Sequence, residues 1–217
     1  MNTGTSLRIA LVIGTSLWAV LNAEAQEIPH PTTADIITPP PGNVAFLVGH
    51  AFGTQGYVCL PAAPGGSTAS WTINAARPEA TLFASFSGQD FQIITHFLSP
   101  DTNPNQNAPN PLAFGNATWQ SSFDSSKVWA QTVHSIVAGT DASCPNTGAI
   151  ACLLLQSIGS LDGPQHGRTL SQSTFIQRLN TKGGSAPAEG CSEAGDVGKQ
   201  TLVPYTADYY FYTEGRR

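Results

Sequence analysis

The chain has 217 residues, 41% of them hydrophobic and only 11% charged, with a formal net charge of -5. Without a basic cluster, that balance argues against nucleic acid and against anionic membrane surfaces as partners. Charge falls well below the roughly 25% usual in globular proteins, so the surface must be made from Ser, Thr, Asn, Gln and Gly, as in β-rich exported domains.

The first residues read as an export leader. Arg8 gives a positive start, residues 9–21 an apolar stretch, and Ala23-Glu24-Ala25 a small-x-small cleavage site before Gln26. The apolar run is shorter than the roughly 20 residues a spanning helix needs, and Asn22, Glu24 and Gln26 follow at once. Residues 1–25 are therefore expected to be removed, giving a secreted or periplasmic protein with no transmembrane segment. About 190 residues remain, enough to bury a core as one domain.

Residues 26–43 are proline-rich without periodicity and predict an extended lead-in. A single β domain is expected over 44–214. Short strands are predicted at 44–48, 56–60, 71–73 and 81–86, with a turn through 51–53 between the first two. Residues 91–98 alternate, with Phe91, Ile93, Thr95 and Phe97 on one face and Gln92, Ile94, His96 and Leu98 on the other. Residues 99–116, rich in Asn and Pro, predict a long surface loop. Asn116-Ala117-Thr118 is a glycosylation sequon.

A hairpin follows, with strands at 117–122 and 127–137. Residues 148–157 contain Leu153-Leu154-Leu155, apolar on both faces, and read as a central strand in preference to a short helix. The last two strands are predicted at 174–181 and 203–212. In the final one Val203, Tyr205, Ala207, Tyr209 and Phe211 share one face, while Thr206, Asp208, Tyr210 and Tyr212 share the other. If these strands pair, Arg178 and Asp208 could meet on one face. The expected fold class is all-β: a single-domain antiparallel β-sandwich or flattened β-barrel with long loops.

Four cysteines behind a leader point to an oxidising compartment and allow three disulfide connectivities. The turn in CPNTGAIAC could bring Cys144 and Cys152 together as a local clip, and Cys59 then pairs with Cys191. A metal site is the poorer alternative, because no C-x-x-C spacing and no adjacent histidine is present.

A further set of residues runs through the whole mature chain. It comprises Gly53-Thr54-Gln55, Tyr57, Cys59, Trp71, Thr118-Trp119, Trp129, Leu153-Leu154-Leu155 and Gln177-Arg178-Leu179-Asn180-Thr181. Gly183-Gly184-Ser185-Ala186-Pro187, Cys191 and Val203-Pro204-Tyr205-Thr206-Ala207 complete it. In that order they resemble the exported family catalogued as domain of unknown function 3455. The resemblance implies a single β domain and supports the Cys59 to Cys191 pairing. It implies no activity, substrate or cofactor and supplies no catalytic residue.

No G-x-S-x-G elbow follows the leader, and no H-E-x-x-H or P-loop pattern occurs. His96 and His134 could converge across a sheet to hold a metal with Asp90 or Asp124, but ordinary polar positions on strand faces are the better expectation. Asp90, Asp101, Asp124, Asp141 and Asp162 fall in predicted turns, where Asp usually caps backbone. The aromatic residues give the stronger lead. Trp129, Tyr210 and Tyr212 lie opposite the apolar parity of their strands, and exposed together they would stack on a sugar ring or an apolar ligand. The expected ligand-binding set is thus Trp129, Tyr210, Tyr212, His96 and His134. The expected function is an exported, disulfide-stapled β domain acting as a non-catalytic binding or surface-interaction module for a carbohydrate or small apolar molecule, with no cofactor and no bound metal. The alternative is a secreted hydrolase or metal-dependent oxidoreductase centred on His96 or His134.

Overall fold

The structure, a computed structural model, describes residues 28–99 and 116–215. The expected leader and almost all of the Asn/Pro-rich loop lie outside them. Eight strands follow in chain order: β1 (Asn43–Pro61), β2 (Ala69–Phe86), β3 (Gln89–Ser99), β4 (Asn116–Ser121), β5 (Lys127–Ile136), β6 (Cys152–Leu161), β7 (Phe175–Gly183) and β8 (Gln200–Glu214). Each pairs antiparallel with the next, and β8 returns to pair with β1 from Asn43 opposite Glu214 to Val58 opposite Gln200. The all-β expectation holds, and its form is a closed up-and-down barrel.

Two predicted boundaries dissolve. The four short strands expected over 44–86 are two long ones, β1 and β2. Gly49 and Gly53 looked like turn residues but sit inside β1, where they allow close packing. A Cβ on Gly49 would lie 3.0 Å from Leu82 Cβ, and one on Gly53 only 2.1 Å from Glu79 O. Bulges at Ala45/Leu47 and Gln55/Tyr57 bend the strand around the barrel.

Period-two alternation sends one side of each strand inward. Ala51, Leu82, Ile94, Trp119, Val128, Leu155, Ile176, Ala207, Tyr209 and Phe211 pack there as the main core. A smaller cluster forms on the outer wall from Ile37, Ile136, Leu154, Leu179 and the Cys144–Cys152 disulfide. The proline-rich segment is therefore more than a lead-in. Residues 35–37 make a 3-10 turn that buries Ile37 completely. Gln177 Nε2 donates to Ile37 O (2.6 Å), and Tyr212 OH donates to Gln177 Oε1 (2.7 Å), which fixes the segment across β7 and β8.

The two ends of the barrel differ. At one end, Asp124 in the β4–β5 turn accepts from Ser126 N and Oγ (3.0 and 2.7 Å) and from Thr169 N and Oγ1 (2.9 and 2.7 Å). Partial burial opposes ionisation, but these four donors outweigh it and hold the carboxyl well below the usual range. Asp124→Asn should therefore lower stability at pH 7 by about 2 kcal/mol, a figure reduced for partial exposure. Because the folded carboxyl has the depressed pKa, that loss is present above about pH 4 and shrinks as pH falls below it. Urea titrations at pH 7 and pH 3 on both proteins would measure it.

The opposite end carries both disulfides. Cys59 at the end of β1 is joined to Cys191 in the β7–β8 loop, and Cys144 to Cys152 across the loop that precedes β6. Backbone bonds reinforce the first: Cys59 N donates to Lys199 O (2.8 Å) and Gly198 N to Cys59 O (2.9 Å).

Candidate functional site

The inward face toward the disulfide-bearing end is polar and aromatic. His96 on β3 lies opposite Trp119 on β4, and Arg178 on β7 lies opposite Tyr209 on β8 and Leu153 on β6. Tyr205, two turns of the pleat from Tyr209, shares its face, and β1 adds Tyr57. All six point inward because they fall on the parity of the core residues beside them.

Ring geometry ties them together. His96 stacks on Trp119 with centroids 4.2 Å apart and an interplanar angle of 9°. Tyr209 closes the group at 5.7 Å from His96 and 5.8 Å from Trp119. His96 Nδ1 lies 2.9 Å from Thr118 O; a carbonyl only accepts, so Nδ1 carries the proton and Nε2 the lone pair. Burial lowers the His96 pKa to about 4, with Arg178 adding to the shift and the Thr118 bond opposing it, so the ring is neutral at pH 7. Tyr205 and Tyr209 share a hydroxyl bond of 3.1 Å. Burial pushes the Tyr205 and Tyr57 hydroxyls above their ordinary range.

Two groups are incompletely bonded. The Trp119 indole N–H is buried, its residue 1% exposed, and has no hydrogen-bond partner among the described residues. Arg178 is half-buried and donates through Nε (3.1 Å) and Nη2 (2.9 Å) to the same acceptor, Ala151 O. Above it the chain folds back as a flap, in which Ala149 bridges to Gly184 and Tyr57 OH donates to Gly184 O (2.6 Å). Gly184 has φ +83°, and a Cβ there would lie 2.8 Å from both Ile150 Cγ2 and Tyr205 Cβ; only glycine lets the flap lie this close.

The residues expected from the sequence are scattered. His96 is inside the barrel. His134 is exposed on β5 opposite Leu154, a residue of the outer cluster, so the two histidines lie on opposite sides of the wall. Asp90 is exposed and held by Ser85 Oγ (2.5 Å), and Asp124 serves the turn described above. No group of three or more His, Cys, Asp or Glu placed to hold a metal occurs among the described residues. The stacking surface drawn from Trp129, Tyr210 and Tyr212 does not form. Trp129 is 1% exposed and Tyr212 fully covered, lying beneath the N-terminal segment with His30 5.5 Å from its ring. Tyr210 is half-buried against the outer cluster.

Two other expectations change. Arg178 and Asp208 do not meet: Leu179 is the residue opposite Asp208, which bonds His50 Nδ1 (2.6 Å) and Asn180 Nδ2 (2.7 Å) on the outside. Asn116 of the sequon is only 7% exposed, which leaves little room for a glycan. Among the described residues an open groove of about 490 Å³ runs across β1, β2 and β3, lined by Phe52, Thr54, Thr81, Thr95, His96 and Phe97 among others.

Sequence reasoning missed Tyr57, Trp119, Arg178, Tyr205 and Tyr209 as a set. The available signal was parity: Tyr205 and Tyr209 already alternated with apolar partners, which placed two hydroxyls inside.

The model of a family described as Protein of unknown function (DUF3455) matches residues 40–213. The chain belongs to that family. The matched span runs from the approach to β1 to within a residue of the end of β8. Tyr57, Trp119, Arg178, Gly184 and Tyr205, all within the motifs that first suggested DUF3455, converge on the disulfide-bearing end. No match was found among curated proteins or among solved structures.

Proposed function

We propose that this DUF3455 chain is an exported, non-catalytic binding module that holds a small molecule inside its barrel, where His96, Trp119, Tyr205 and Tyr209 meet. An eight-stranded barrel is about wide enough to be filled by side chains or to hold one small ligand. The observation that carries the reading is the buried Trp119 N–H without an acceptor. Such a group costs about 1–3 kcal/mol, and native structures leave few of them. A ligand oxygen at that point would satisfy it, and the neutral Nε2 of His96 beside it would accept a ligand proton. The rings around both suit an apolar body. A catalytic reading centred on His96 has less support, because no nucleophile or second acid is bonded to it among the described residues. The carbohydrate reading keeps one location, the groove across β1, β2 and β3, where Phe52 is 60% exposed beside three threonines.

The test uses the purified mature protein with phenol, benzyl alcohol, benzamide and benzoate as probes. At ten times the Kd, at least one should raise Tm by about 3–5 °C. The same probe should quench tryptophan emission in the wild type and lose that quenching in Trp119→Phe. If no probe shifts Tm and no small molecule is released on denaturing the secreted protein, the reading fails.

A further inference from the structure

We infer that the molecule held in the barrel is a small carboxylic acid whose carboxylate is gripped by Arg178. The inference rests on the binding-module reading and adds the chemical class of the ligand.

Three observations carry it. First, Arg178 points inward but has no ion pair among the described residues, and its two donated bonds end on one carbonyl, Ala151 O. A guanidinium has five N–H groups, so three remain without a partner there. Arg178 is half-buried, and a guanidinium with unused donors at the edge of an apolar interior is a ready partner for an anion. Second, three of the carboxylates of the described chain are engaged elsewhere. Asp208 is outside the wall with His50 and Asn180, Asp124 is in the turn at the other end, and Asp196 is in the β7–β8 loop with Lys199. The groups facing Arg178 from the neighbouring strands are neutral: Tyr209 and Leu153 directly opposite, with Tyr57, Tyr205 and His96 close enough to feel its charge.

Third, the wall is only briefly laddered there. The β6–β7 ladder has four residue pairs and ends at Leu153 opposite Arg178, while the β7–β8 register slips between Leu179 and Lys182. Past that point β7 is held to the other side by Arg178 itself, by the Ala149 to Gly184 bridge and by Ile150 N donating to Gly183 O (2.9 Å). Arg178 thus stands at the end of the β6–β7 ladder, beneath the flap. Its unused edge offers the parallel pair of N–H donors that matches a carboxylate and that neither lysine nor an amide can reproduce. The tyrosine and tryptophan rings below give the rest of the ligand an apolar bed.

The experiment compares benzoate with benzamide, which differ little except in charge, by thermal shift and by isothermal titration at pH 7. Benzoate is expected to bind at least ten times more tightly than benzamide. Arg178→Gln should bring the two to parity, and Arg178→Lys should restore part of the difference. Equal binding of acid and amide to the wild type would overturn the carboxylate assignment while leaving interior binding intact. Tighter benzoate binding that survives in Arg178→Gln would also overturn it, by moving the anion away from this residue. If no probe of either kind binds, the binding-module reading falls with it. The acid-to-amide ratio needs only the wild type, so a variant that fails to fold does not remove the test.

Discussion

Replacing Cys59 and Cys191 together by serine is expected to lower stability by about 5 kcal/mol, the largest effect of any change considered for this chain. The bond spans 132 residues, and a closure of that length removes about that much entropy from the unfolded chain. The equivalent change at Cys144 and Cys152, eight residues apart, should cost only roughly 2–3 kcal/mol. For a protein of this size a loss of 5 kcal/mol corresponds to a fall in Tm of about 10–20 °C. The native state adds to the difference, since Cys59 is fully buried and its own backbone is bonded to the β7–β8 loop. Urea titrations of the two double variants against the wild type measure both effects. A long-range variant no less stable than the short-range one would contradict the assignment of β1 and the β7–β8 loop as covalently joined neighbours.

The second large effect concerns acid. His96 is neutral in the barrel with its pKa lowered to about 4, whereas in the unfolded chain it titrates near 6.5. The unfolded state therefore takes up a proton that the folded state refuses between those values. Stability should be full above about pH 6.5 and decline as pH falls toward 4, losing about 3 kcal/mol over the window. His96→Asn retains an N–H for Thr118 O but has no ring to protonate. It should be less stable than wild type at pH 7 and lack the decline between pH 6.5 and 4.5. Parallel curves for the two proteins over that range would show that His96 is reached by solvent and does not titrate as a buried group.

Part of this architecture was legible in the sequence. The alternation of Val203, Tyr205, Ala207, Tyr209 and Phe211 identifies the inward face of β8, and the β4–β5 hairpin appears at its predicted place. Closure was not legible, because pairing β1 with β8 joins residues more than 140 positions apart and leaves no local pattern. Glycine misled for a physical reason: at Gly49 and Gly53 it serves close packing, which in sequence looks the same as a turn. On β7 no bulge was needed: Arg178 follows Ile176 inward by plain alternation and pairs with Tyr209, which leaves Asp208 on the outer face. Trp129 and Tyr212 were placed correctly on the outer parity, but outer did not mean exposed, since a wall can be covered by other parts of the chain.

The pairing of β8 with β1 also constrains how the molecule comes into being. The eighth strand must find the first, so the cylinder cannot close until β8 has been made. Until then β1 and β7 each present an unmatched row of backbone donors and acceptors, an invitation to pair with a neighbouring chain. Folds dominated by such distant contacts assemble slowly, on the order of milliseconds to seconds. That interval is the period in which the protein is most at risk of aggregation.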